Sequence, residues 1–150
     1  MYYINLAAAL LTPITAICLL WLAHKDYQTK TEQFKLNLYD RRYKIYKAVE
    51  NLLRDILQKG KVDIESMNQF VADTNEREFL FDKAVPTYID VLRNRAIHLQ
   101  YLRHMLDNSN LPVGDKRTKL AYEQCDLLIW FNDQFDISKN MFKKYLVFKK

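Results

Sequence analysis

The chain has 150 residues, of which 49% are hydrophobic and 27% charged, and it carries 23 Lys+Arg against 18 Asp+Glu. With only two glycines and three prolines, it has no room for glycine-rich phosphate-binding loops or many tight hairpins. Its two cysteines and three histidines lack the spacing of a disulfide framework or a zinc site, so we expect no metal and no cofactor. The composition predicts an all-α protein with one domain and at most one appendage.

The first long apolar stretch predicts a membrane anchor. Ile4 to Ala23 contain no charge, and about 20 such residues in a helix cross the hydrocarbon core of a bilayer. Trp21 lies at one end of the stretch, as interfacial aromatic residues do. We therefore predict an anchor with its juxtamembrane segment over residues 1–28. A cleaved secretory signal, which usually begins with basic residues, and a buried helix of a soluble protein are the two alternatives.

The charges that follow this stretch predict its orientation. Seven Lys and Arg side chains lie between Lys25 and Lys47, whereas no basic side chain precedes Ile4. Basic residues accumulate on the cytoplasmic side of a span. The sequence thus predicts a single-pass protein of the inner (cytoplasmic) membrane, with its C-terminal domain in the cytoplasm.

Residues 29–138 have the periodicity of a helical bundle. Thr29 with Glu32 fits a capping box and predicts the start of a helix, and Gly60 predicts its end. Later segments predict short helices after Asp63 and after Asn75, long helices from about Pro86 to Leu106 and from Lys116 to Ser138, and a loop over 107–115. The predicted fold is an N-terminal transmembrane helix followed by a small antiparallel helical bundle.

Two apolar helix faces are candidate interaction surfaces. The first lies on the helix after Thr29 and the second within Leu127–Phe131, which is apolar all around the helix. Such faces either lie at the centre of the bundle or bind a protein partner or a second copy of the chain. The candidate residues are Tyr39, Tyr46, Leu53, Leu57, Ile129 and Trp130.

The last segment, residues 139–150, combines five lysines with aromatic residues and has no acid. This pattern predicts contact with an anionic membrane surface, and the alternative is that the aromatic rings pack on the bundle while the lysines solvate it. Nucleic-acid binding is not expected, because the region before this tail is net acidic. The membrane-surface candidates are Phe142, Lys143, Lys144, Phe148, Lys149 and Lys150.

One short motif suggests chemistry. Arg93, Asn94 and His98 form an R-N-x-x-x-H pattern, which resembles the signature of HEPN-type helical ribonucleases. That resemblance implies that the Arg and the His act on a scissile phosphate. On a regular helix, however, residues five apart are rotated by about 140°. Ordinary surface residues on a bundle helix are therefore the alternative.

Two segments, LNLYDRRYKIYKAV (36–49) and EFLFD (78–82), are similar to a group of small bacterial proteins of unassigned function. Those proteins have one N-terminal span and a helical cytoplasmic region. The resemblance implies a bacterial or phage-borne membrane-anchored protein, and it carries over no catalytic residue. We therefore expect a non-catalytic interaction or regulatory module, with a membrane-tethered HEPN-like ribonuclease or toxin and a phage-related membrane effector as alternatives.

Overall fold

The computed structural model describes residues 2–108 and 114–147, and the side chains of all of these except 2–12 and 14. The described residues form helices and contain no strand, as the composition predicts. The helices are α1 (Tyr2–Lys59), α2 (Ile64–Asp73), α3 (Arg77–Leu80), α4 (Ala84–Asp107) and α5 (Asp115–Lys143). The chain divides into two compact units, Met1–Leu38 and Tyr39–Lys150.

Helix α1 does not begin at Thr29, so that part of the prediction is wrong. The Thr29 hydroxyl donates a hydrogen bond to the Lys25 carbonyl at 3.0 Å, and the Thr31 hydroxyl donates to the Tyr27 carbonyl at 2.9 Å. Both threonines thus bond to the preceding turn of a helix that already exists, instead of capping a new one. No Gly or Pro lies between Pro13 and Lys59 to end the helix earlier.

Among the residues that the structure describes, no helix is both long and apolar enough to cross a membrane. The predicted span from Ile4 to Ala23 includes residues 4–12 and 14, whose side chains lie outside the described part of the chain.

Within the second unit, α5 runs antiparallel to α1. The rings of Tyr46 and Phe142 lie 5.5 Å apart, and the Gln124 amide nitrogen donates to the Gly60 carbonyl at 3.3 Å. Residues near the end of α1 therefore lie beside an earlier part of α5, and Tyr46 lies beside the end of α5. Helix α5 extends to Lys143, beyond the predicted end at Ser138, because Phe142 still has core partners to pack against.

Helix α5 also runs antiparallel to α4. The Tyr88 hydroxyl donates to the Gln134 carbonyl at 3.4 Å, and the His98 imidazole lies 3.3 Å from the Glu123 carboxylate. Since α5 is antiparallel to both long helices, α1 and α4 are parallel to each other. The predicted bundle is thus confirmed as helical, and among its three long helices the antiparallel pairs are those that include α5.

Helix α2 carries the chain back from the end of α1 towards the start of α4. Gly60 has a φ of +62° and its amide donates to the Ile56 carbonyl at 2.8 Å, which ends α1 as the sequence predicts. Helix α2 then runs back along α1, with Ser66 donating to Asp55 at 2.7 Å and Lys44 paired with Asp73 at 3.1 Å.

The core of the second unit lies between α1, α4 and α5, with contributions from α2 and α3. Most of its fully buried side chains are apolar and come from the helix positions that the 3.6-residue periodicity predicts, and the buried polar residues are Thr74, Gln134 and Ser138. The fully buried apolar residues include Ile45, Val49, Leu52, Leu53, Ile56, Phe70, Val85, Ile89, Leu92, Ala96, Leu99, Leu102, Phe131 and Phe142.

Candidate functional site

Arg42, on α1, links three separate parts of the chain. Its Nε donates a hydrogen bond to the Leu80 carbonyl at 2.9 Å. Its guanidinium carbon also lies 5.8 Å from the centroid of the Phe81 ring and 5.4 Å from that of Tyr145. Arg42 thereby satisfies the last carbonyl of α3 and makes two cation–π contacts.

The aromatic rings around Arg42 also contact one another. Phe81 meets Tyr145 edge-on at 5.0 Å and Phe142 edge-on at 5.3 Å, and Phe142 in turn meets Tyr46 at 5.5 Å. Edge-to-face contacts at these distances are favourable beyond the area that they bury. We call these five residues, Arg42, Tyr46, Phe81, Phe142 and Tyr145, the Arg42 cluster.

Two ion pairs lie at the rim of the cluster. The Arg41 guanidinium is 2.7 Å from the Glu76 carboxylate, and the Lys144 ammonium is 3.0 Å from the Asp82 carboxylate. All four side chains are about half exposed, so each pair contributes little to stability. The segments 36–49 and 78–82, which the sequence singles out, thus meet the end of α5 at one place.

The carboxyl of Asp82 is electrostatically tied to the end of α5. The neighbouring Tyr145 hydroxyl and Lys144 ammonium hold the pKa of Asp82 below its ordinary value of 3.8. Ionised Asp82 therefore stabilises the folded state.

We expect the stabilisation by ionised Asp82 to be lost at low pH. Because the pKa of Asp82 is depressed on folding, its contribution is present above pH 3.8 and is lost as the pH falls through the folded-state pKa. Asp82→Asn should therefore be less stable than the wild type at about pH 6 and equal to it in strong acid. Urea unfolding at both pH values measures this, and an equal deficit at both would contradict it.

The predicted interaction face on α1 is only partly accessible. Leu53 is fully buried, so it belongs to the core and is not available to a partner in this fold. Leu57 is half-buried, and Tyr46 is occupied by the Arg42 cluster. Tyr39 is half-buried and stacks on Tyr43 with ring centroids 5.9 Å apart.

The Leu127–Phe131 segment of α5 lies mostly inside the bundle. Leu127 and Phe131 are buried, and the Trp130 ring is covered by the Arg95 guanidinium at 4.3 Å. Ile129, which is 57% exposed, points away from this packing. Ile129 is thus the residue of this segment that remains open to a partner.

The tail candidates divide into three groups. Phe142 is fully buried in the Arg42 cluster, which corrects its prediction as a membrane-surface residue. Lys143 is exposed, and Lys144 is paired with Asp82. Phe148, Lys149 and Lys150 lie outside the described residues. For the part of the tail that the structure describes, packing on the bundle is therefore the better interpretation.

The residues of the R-N-x-x-x-H pattern lie on the surface of α4. Arg93, Asn94 and His98 are all exposed. His98 faces α5, where it meets Glu123 at 3.3 Å, and its ring centroid lies 6.5 Å from that of Tyr101. Among the described residues, no group of three His, Cys, Asp or Glu side chains could hold a metal ion.

No family model, curated protein or solved structure matches the chain in a comparison with known proteins. The sequence does not predict the Arg42 cluster as one site, since it assigns Tyr46 to an interaction face and Phe142 to a membrane surface and gives Arg42, Phe81 and Tyr145 no role. The sequence does show an arginine and several aromatic residues in distant segments. Their spacing along the chain does not predict which of these residues are in contact in the fold.

Proposed function

We propose that this chain is a membrane-anchored helical interaction module without catalytic activity, held by Ile4–Ala23 and extending its bundle into the cytoplasm. The observation that carries the proposal is the exposure of the described part of that stretch. Every side chain from Thr15 to Ala23 is exposed and none is charged. A helix that is apolar on all sides is stable when an apolar medium surrounds it.

The end of this segment supports lipid as the surrounding medium. The Lys25 ammonium lies 5.0 Å from the centroid of the exposed Trp21 ring. A Trp with a Lys one helical turn later is typical of the membrane–water interface, where the ring lies at the headgroups and the cation reaches the phosphates. The basic residues that continue to Lys47 favour the cytoplasmic side for the bundle.

A role in binding fits the surface of the second unit better than catalysis does. The Arg42 cluster uses its polar atoms for packing, and the residues of the R-N-x-x-x-H pattern are exposed on one helix. The bundle leaves large apolar side chains exposed instead, including Phe79 and Ile129. Phe79 and Ile129 are therefore our candidate contact points for a protein partner or a second copy.

Two charges placed in the apolar segment should release the protein from membranes. We expect the double variant Ala16→Lys, Ile17→Lys to move to the soluble fraction, because both residues lie within four positions of the middle of Ile4–Ala23 and each lysine near the centre of a span costs about 3 kcal/mol of insertion. The measurement is fractionation of cells that express the full chain, followed by carbonate extraction. The matched control is Tyr122→Lys, Ile129→Lys, which charges two exposed apolar residues of α5 and should leave the protein in the membrane. A wild-type protein found in the soluble fraction would contradict the proposed function.

A further inference from the structure

Phe79, on the short helix α3, projects into solvent. It is 87% exposed, which is more than any other large apolar residue whose side chain the structure describes. The two residues that follow it, Leu80 and Phe81, are buried, and its amide donates a hydrogen bond to the Glu76 carbonyl at 3.0 Å. Phe79 is therefore an apolar projection that its packed neighbours hold in place.

A hollow lies close to this projection, because residues on both sides of Phe79 in the sequence line it. Its volume is about 410 Å³, and a cavity of about 150 Å³ is enough to hold a benzene molecule. The hollow therefore has room for a phenyl ring, and Phe81 and Pro86 offer that ring apolar contacts. We call Phe79 and the residues that line the hollow the Phe79 patch. The lining residues are Glu78, Phe81, Lys83, Pro86, Thr87 and Asp90.

The charges of the Phe79 patch are balanced. The Asp90 carboxylate is paired with the Arg77 guanidinium at 2.8 Å. Glu78 and Lys83 have opposite charges, and neither makes an ion pair with another residue that the structure describes. Since two cations and two anions sum to zero, the patch does not attract a strongly acidic or basic partner, such as an anionic membrane or a polycation.

We propose that the Phe79 patch is a two-fold symmetric interface with a second copy of this chain. Phe79 of each copy enters the hollow of the other copy. Its sequence neighbour Glu78 then approaches the rim of that hollow, where the partner's Lys83 lies. The pairing removes the exposed ring from water and gives both unpaired charges an opposite charge to face.

The composition of the patch favours a second copy over a different protein. A two-fold interface uses the same surface on both copies, so that surface must be complementary to itself. The Phe79 patch meets this condition, because it contains both a projection and a hollow, and both an unpaired anion and an unpaired cation. The inference rests on the binding role in the proposed function. It does not depend on the membrane anchor, since every residue of the patch lies in the second unit.

Sedimentation equilibrium of the purified full-length chain in detergent micelles tests the role of Phe79. We expect the wild type to show a monomer–dimer equilibrium and Phe79→Ser to raise its Kd at least about tenfold, because buried aromatic anchors carry much of the binding energy of an interface. Tyr122→Ser is the matched control, since Tyr122 is 70% exposed but lies on α5, outside the patch. It should dimerise as the wild type does.

Two results of this measurement would overturn the proposal. One is a wild-type chain that stays monomeric at its highest soluble concentration, and the other is a dimer that Phe79→Ser does not weaken. Thermal unfolding followed by circular dichroism should be the same in both variants and the wild type, because both substituted side chains are exposed. A weaker dimer in Phe79→Ser then reports on the contact and not on folding.

An exchange of two charges tests the two-fold arrangement. Glu78→Lys and Lys83→Glu should each raise the Kd of the dimer by roughly three- to tenfold, because like charges then meet twice across the interface. The double variant Glu78→Lys, Lys83→Glu restores both ion pairs in the opposite sense and should return to within about twofold of the wild type. Losses that add in the double variant would overturn the two-fold contact.

The measurements also separate this inference from the proposed function. A chain that resists carbonate extraction but stays monomeric overturns the contact through the Phe79 patch and leaves the anchor intact. A chain that is found in the soluble fraction but dimerises through Phe79 supports the contact and overturns the anchor.

Discussion

Phe142→Ala is expected to lower the free energy of unfolding by about 3–5 kcal/mol, which is the usual cost of truncating a fully buried phenylalanine. Phe142 is fully buried although it lies in the last turn of α5. Its ring meets Tyr46 at 5.5 Å and Phe81 at 5.3 Å, so the truncation removes two aromatic contacts and leaves a cavity. The last turn of α5 thus contributes to stability as a part of the core.

The measurement for Phe142→Ala is urea unfolding of the full chain in mild detergent, followed by circular dichroism at 222 nm. Tyr122→Ala is the matched control, because Tyr122 is an aromatic residue of the same helix that is 70% exposed. The control should change stability by less than about 0.5 kcal/mol. A stable Phe142→Ala protein that no longer binds anionic vesicles would favour the membrane-surface role of this residue instead.

The helices could be predicted from the sequence because their signals are local. Gly60 ends α1 and Asp63 precedes α2, and each prediction depends on residues within one or two turns. The ends of α1 and α5 could not be predicted in the same way. Thr29 has the capping pattern but lies inside a helix, and α5 passes Ser138 because Phe142 packs against distant residues.

The Arg42 cluster shows where such predictions stop. The hydrogen bond from Arg42 to Leu80 spans 38 positions of sequence, and the contact between Tyr46 and Phe142 spans still more. Periodicity gives the face of a helix on which a residue lies, but it does not give the helix that covers this face. Leu53 was therefore a reasonable interaction candidate, and only the packing of the bundle shows that it is buried.

The two adjacent arginines of the L-Y-D-R-R segment are predicted to differ strongly in their contribution to stability. Arg42→Ala removes a charged hydrogen bond to the Leu80 carbonyl and two cation–π contacts, which together amount to about 2–3 kcal/mol. It also leaves a carbonyl at the end of α3 without its donor. Arg41→Ala removes only an exposed ion pair with Glu76 and should cost less than about 1 kcal/mol.

Urea unfolding of Arg42→Ala, Arg41→Ala and the double variant measures this difference within one motif. The two single effects should add in the double variant, because Arg41 and Arg42 have no partner in common among the described residues. Arg42→Lys should fall between the wild type and Arg42→Ala, since an ammonium can reach the carbonyl but lacks the planar guanidinium that covers Phe81 and Tyr145. Equal losses for Arg41→Ala and Arg42→Ala would contradict the packing role of Arg42. The charge of the segment, and not the Arg42 cluster, would then be what stabilises the junction between α1, α3 and α5.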